Sequence, residues 1–97
     1  MDYTFNKSAE NAMIQHHFKL AMDDIKNNLM QGKRITELAF PVEIASDVRK
    51  LIDNELKDKK FNWLIMYKGV NQFGKEANFI SKTIGNEKHF RLNYFGD

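Results

Sequence analysis

Three histidines, thirteen carboxylates and three serines are the residues of this 97-residue chain that could do chemistry. His16 and His17 are adjacent, so on a helix they point about 100° apart and do not share one ion. His89 stands alone, and no His-x-x-x-His or His-x-x-Glu spacing begins a metal site. The chain has no cysteine, which removes thiolate ligands, disulfides and thiol nucleophiles together. The histidines therefore read as surface residues, and no metal and no cofactor is expected.

Acid–base chemistry needs two carboxyl groups held in a cleft with separated pKa values. Asp23 and Asp24 point apart on their helix, and Glu37, Glu43, Glu76 and Glu87 follow solvent-facing patterns. Glu55 differs, because it falls on the same side of a helix as Ile44 and Leu51. Either a fraying last turn lets it reach water, or it is a partly buried carboxylate with a raised pKa. No Gly-x-Ser-x-Gly elbow, phosphate loop or Gly-x-Gly-x-x-Gly turn is present. An enzyme is the least supported class.

Two constellations suggest binding instead. In the first, cations alternate with aromatics: Lys68, Phe73, Lys75, Phe79, Lys82, His89, Arg91 and Tyr94. Single strands are held by stacking on aromatics beside cations, so Lys75, Lys82 and Arg91 are candidate nucleic-acid contacts. Residues 1–56 carry seven Lys+Arg against nine Asp+Glu, and residues 57–97 carry eight against four. An excess of four positive charges is a weak footprint, and a folded sheet needs most of these aromatics for its own core. In the second constellation, Met13, His17 and Leu20 recur at i, i+4, i+7 on the first helix, about 100° from its main stripe. A helix packed on one sheet buries one stripe, so a second apolar row points to another surface or to deeper embedding.

The elements that position these residues follow from periodicity. A helix runs from about Asn6 or Ser8, either of which could cap it, to Met30. Ile14, Phe18, Ala21, Ile25 and Leu29 form its stripe, and Gly32 ends it. Ile35–Val42 alternates as a strand, with Pro41 placing it at an edge or ending it at Phe40. A second helix follows to about Lys59, with Ile44, Val48, Leu51, Ile52 and Leu56 on its apolar arc and Ser46 as N-cap. Phe61–Tyr67 contains the longest apolar run and the only tryptophan, so it reads as a central strand, or one covered on both faces, with Trp63 buried. Strand, helix, strand at this spacing is a parallel crossover. Val70–Lys75 reads as a loop bounded by Gly69 and Gly74, with Phe73 as a further candidate partner anchor. Ala77–Ile84 and Lys88–Phe95 form a hairpin around Gly85-Asn86.

These elements predict a single α+β domain spanning residues 1–97. It is a two-layer sandwich in the order α-β-α-β-β-β, with two helices on one face of a mixed four-stranded sheet. The first seven residues show no leader followed by an apolar segment, and the longest apolar run is far below the roughly 20 residues of a membrane span. The expectation is a cytoplasmic, non-catalytic regulatory or inhibitory protein. It would bind another protein, or itself through the first helix, using Met13, His17, Leu20 and Phe73. Twelve lysines against three arginines, with ten asparagines, is the bias of AT-rich coding sequences such as those of many phages and mobile elements. The alternative is a nucleic-acid-binding module.

Overall fold

The longest element is a helix whose length is set by where its backbone can stop. In the computed structural model, which describes residues 3–96 with side chains from Ser8 to Gly96, α1 spans Tyr3–Met30. Asn6 and Ser8 therefore lie within it and do not begin it. Its end is closed by two backbone bonds, Lys33 N–H to Asn28 O at 2.8 Å and Gly32 N–H to Leu29 O at 3.0 Å. That pattern needs a left-handed residue at position 32, and Gly32 supplies it with φ of 79°. Ile14, Ala21, Met22 and Ile25 are buried along the expected stripe, with Phe18 packed beside them.

Then come β1 (Ile35–Pro41), α2 (Val42–Glu55), β2 (Lys60–Trp63), β3 (Tyr67–Val70), β4 (Glu76–Phe79), β5 (Ser81–Ile84) and β6 (Glu87–Gly96). Six strands replace the expected four, and they form two sheets: a four-stranded sheet in which β6 pairs with β1, β2 and β5, and a two-stranded sheet of β3 and β4. All pairings are antiparallel, so the larger sheet is not mixed in its hydrogen bonding. β1 and β2 do run in the same direction around α2, with β6 lying between them.

The central strand is thus β6 and not the tryptophan-bearing segment. β1 pairs along one side of it, from Ile35 opposite Asn93 to Pro41 opposite Glu87. On the other side β2 covers one end of β6 and β5 the other, so Trp63 lies opposite Leu92 and Ser81 opposite Phe90. β2 and β5 run the same way along that edge and read as one strand with an interruption. Residues 64–80 fill the interruption and carry the β3–β4 hairpin.

One face of the larger sheet holds the core. Leu38 and Phe40 of β1 and Phe90 and Leu92 of β6 join Ile44, Ala45, Val48, Ile52 and Leu56 with the stripe of α1 in one buried cluster. Both helices contact β1 and β6, and each other. Asn28 Nδ2 donates to the buried Thr36 Oγ1 at 3.0 Å, which satisfies a buried polar side chain between α1 and β1. α2 starts directly after Pro41, and no side chain caps it. Ser46 lies inside the helix, and the expected end at Lys59 is shortened to Glu55. The radius of gyration is 14.9 Å, against about 12.5 Å for a compact chain of this length. The long α1 and the hairpin account for the excess. Among the described residues no helix is long and apolar enough to cross a membrane.

Candidate functional site

The chain leaves the larger sheet after Trp63. Leu64 N–H still reaches Arg91 O at 2.8 Å, and Met66 N–H reaches Phe79 O at 2.7 Å, which closes the root of the hairpin. From there Tyr67 pairs with Phe79, Lys68 with Asn78, Gly69 with Ala77 and Val70 with Glu76. β3 and β4 contact one another and make little contact with any other element. This hairpin is an arm.

An isolated two-stranded hairpin is marginal in water, so the arm's internal contacts matter. The Tyr67 and Phe79 rings stack at 4.8 Å between centroids and 13° between planes. They cover Gly69, where an added Cβ would lie 3.2 Å from Tyr67 Cε2 and 3.3 Å from Phe79 Cε2. Aromatic rings laid over a strand glycine supply the apolar contact that glycine lacks. Gly69→Ala is expected to spread the stack and weaken the near-ultraviolet circular dichroism of the arm. The body's main thermal transition should hold to within a degree or two, since the arm packs on no core element.

The tip is equally well determined. Asn71 O accepts Gly74 N–H at 3.0 Å, and Asn71 N–H reaches Lys75 O at 2.8 Å. The Asn71 side chain accepts Phe73 N–H at 2.9 Å and Lys75 N–H at 3.1 Å. Gly74 takes the left-handed conformation with φ of 76°, as in three-residue hairpin loops that end on a bulged glycine. This turn holds Phe73 outward, and the residue is 76% exposed. Val70, Ile65 and Tyr67 are also exposed along the arm. The segment expected to be a loop is a tight turn between two strands, with Val70 already in β3, and its aromatic is exposed at the tip.

At the arm's root the body is braced. Trp63 Nε1–H donates to Asp53 Oδ1 at 2.6 Å, while Arg49 Nη1 donates to Asp53 Oδ2 at 2.7 Å. The indole also lies 5.5 Å from the Phe90 ring, centroid to centroid. Trp63 is half-buried, more exposed than expected, because β2 is an edge strand.

The remaining sequence candidates are scattered. Lys75 sits at the tip of the arm, whereas Lys82 and Arg91 share a hollow on the open face of the larger sheet with Glu37, Met66, Ile84 and His89. Arg91 Nη2 donates to Glu37 Oε1 at 2.9 Å. The three cations do not converge on one groove. Met13 and Leu20 are about half exposed and His17 is half-buried, its ring 6.2 Å edge-on to Phe40. Glu55 is exposed beside α1, and Asp23 and Asp24 are exposed on α1 itself. Among the described residues no three His, Cys, Asp or Glu side chains gather as a metal would require.

The arm was not read from sequence as an arm, although a signal existed. Asn71-x-x-Gly74 between Tyr-Lys-Gly-Val and Glu-Ala-Asn-Phe is a short glycine-bearing turn between two strand-like runs. Comparison with known proteins yields no relative: no family model matches the chain, and no curated protein or solved structure matches it.

Proposed function

We infer that this is a non-catalytic cytoplasmic protein that acts by binding another protein through its arm, with the two-layer body of helices and sheet as the scaffold. The observation that carries the reading is Phe73, an exposed aromatic held by a turn tied through Asn71, at the end of a hairpin that makes little contact with other elements. Aromatic anchors dominate protein–protein binding energies when they enter a pocket on the partner. Holding the anchor rigid in advance lowers the ordering cost of binding. Val70, next to the tip, extends the apolar contact on one face of the arm, and Lys68 and Lys75 give its rim positive charge, which suits a pocket edged by carboxylates. A regulatory or inhibitory role, in which the arm occupies a functional cleft of its target, fits a small chain with no chemistry of its own. The nucleic-acid reading is weaker, because Lys75 is separated from Lys82 and Arg91 by the length of the arm and Arg91 is engaged by Glu37.

Affinity capture from host extract, with nuclease present, tests the reading. Wild-type protein is expected to retain a protein target that Phe73→Ala loses by at least tenfold in affinity, with unchanged circular dichroism. A target retained equally by Phe73→Ala and by a chain whose arm is replaced by a two-residue turn would remove the arm from the binding surface. Nucleic acid recovered in place of protein would favour the alternative.

A further inference from the structure

We propose that the corner between the arm and β5 is a groove for an extended acidic peptide. The peptide would pair as an added strand with the free edge of β5 and rest an apolar side chain on the Tyr67–Phe79 stack. The groove lies at the arm's root and does not require Phe73 at the tip.

The corner is a hollow of about 570 Å³ lined by Tyr67, Phe79, Ser81, Lys82, Thr83 and Lys88. That volume falls within the roughly 300–1,000 Å³ of natural ligand sites. One wall is the pair of stacked rings, of which Tyr67 is exposed. The other wall touches three consecutive residues of β5. Successive strand residues point to opposite faces, so a hollow that reaches Ser81, Lys82 and Thr83 together runs along the strand's edge.

The backbone groups on that edge can be identified. Arg34 O accepts Tyr94 N–H, and Leu64 N–H donates to Arg91 O, each at 2.8 Å. Antiparallel ladders alternate, so even-numbered residues of β6 bond toward β1 and odd-numbered ones toward β2 and β5. Lys82 lies opposite His89 and Ile84 opposite Glu87, so these two residues of β5 direct their N–H and C=O to β6. Ser81 and Thr83, opposite Phe90 and Lys88, turn theirs outward into the corner. Among the described residues no strand pairs with that side of β5.

Charge and hydrogen bonding together name the occupant. Among the described residues no carboxylate lines the hollow, and neither Lys82 nor Lys88 makes an ion pair or a side-chain hydrogen bond. Lys82 stands on the open face of the sheet, while Lys88 shares the opposite face with Phe90. An added strand alternates its side chains between those two faces, so carboxylates on either side would meet a cation. Lysines at an edge repel most strands, and the same lysines select an acidic one. A phosphate-bearing ligand suits the corner less well. The outward carbonyls of Ser81 and Thr83 need donors, which ionised phosphate oxygens lack and a peptide backbone supplies.

Selection of random ten-residue peptides against the intact Phe73→Ala chain tests this with the tip silenced. The enriched peptides are expected to carry Asp or Glu on both sides of an apolar residue. Fluorescence anisotropy of one labelled winner then reads the site. Lys82→Glu with Lys88→Glu is expected to weaken its binding at least tenfold. Thr83→Pro removes an outward N–H without removing a ladder bond, as proline at an edge can, and is expected to abolish binding with circular dichroism unchanged. No enrichment overturns the proposal, as does a set of winners without acidic residues. Binding that survives either folded variant overturns it too, and so does displacement of the peptide by millimolar ATP at constant ionic strength. If Thr83→Pro unfolds, N-methylation of the peptide decides the pairing. Loss of binding at alternate positions supports an added strand, and tolerance at every position overturns it.

Discussion

Phe90→Ala is expected to lower the unfolding free energy by about 3–5 kcal/mol, the range for deleting a buried aromatic. Phe90 is 3% exposed at the middle of β6, with its ring 6.0 Å from Phe40 and 5.5 Å from Trp63. It lies opposite Leu38 on one side and Ser81 on the other. Removing it opens a cavity bordered by all three lines of the larger sheet, and the strands on either side are held by backbone bonds that resist collapse into it. Urea titration followed by circular dichroism measures the loss. A change under 1 kcal/mol would mean that the helices do not press on this face. Phe73→Ala offers the contrast within one protein: an exposed aromatic whose loss should move stability by no more than about 0.5 kcal/mol.

Trp63→Ala is expected to cost about 3 kcal/mol, the low end of the same range because part of the indole is exposed. Two contributions are combined there, the packing on Phe90 and the hydrogen bond to Asp53. Trp63→Phe separates them. It keeps most of the packing and removes the N–H donor, so it should cost about 1 kcal/mol, a typical net value for one hydrogen bond. Equal losses in the two variants would mean that the Asp53 contact, and not ring packing, fixes β2 on α2. Urea titration of each variant, followed by far-ultraviolet circular dichroism because neither variant retains a tryptophan, provides the readout.

The helices and the last strand were legible because each buries one side. Ile14, Ala21 and Ile25 fall on a single helical stripe, and Phe90 and Leu92 alternate with His89 and Arg91. The misreading of Phe61–Tyr67 has a definite cause. An apolar run reports what lies above and below a strand, whereas lateral position in a sheet is decided by backbone groups that every residue possesses. β6 is central yet alternates, because only one of its faces is covered. The run from Trp63 to Tyr67 is continuous yet is not one strand: Trp63 faces the helices, Leu64 and Met66 are half-buried in the arm's root, and Ile65 and Tyr67 are exposed on the arm. Two environments happen to abut in sequence.

The candidate surfaces divide in the same way. Met13 and Leu20 were identifiable because a second apolar row on a helix is visible in its spacing. Phe73 stands out in the sequence as an aromatic beside glycine in a turn, but its outward placement depends on the bonds made by Asn71, and no hydrophobic pattern records those.

The interruption in the β2–β5 line has a consequence for how such a protein can change. The chain departs at Leu64 and returns at Ser81 along the same edge, so β2 and β5 hold their registers on β6 independently of what lies between. Whatever is inserted there can be lengthened, shortened or exchanged without shifting any strand of the body. The junction behaves as a socket. Selection, or a designer, can replace the hairpin with one bearing a different tip while Phe90, Leu92 and the two helices stay as they are.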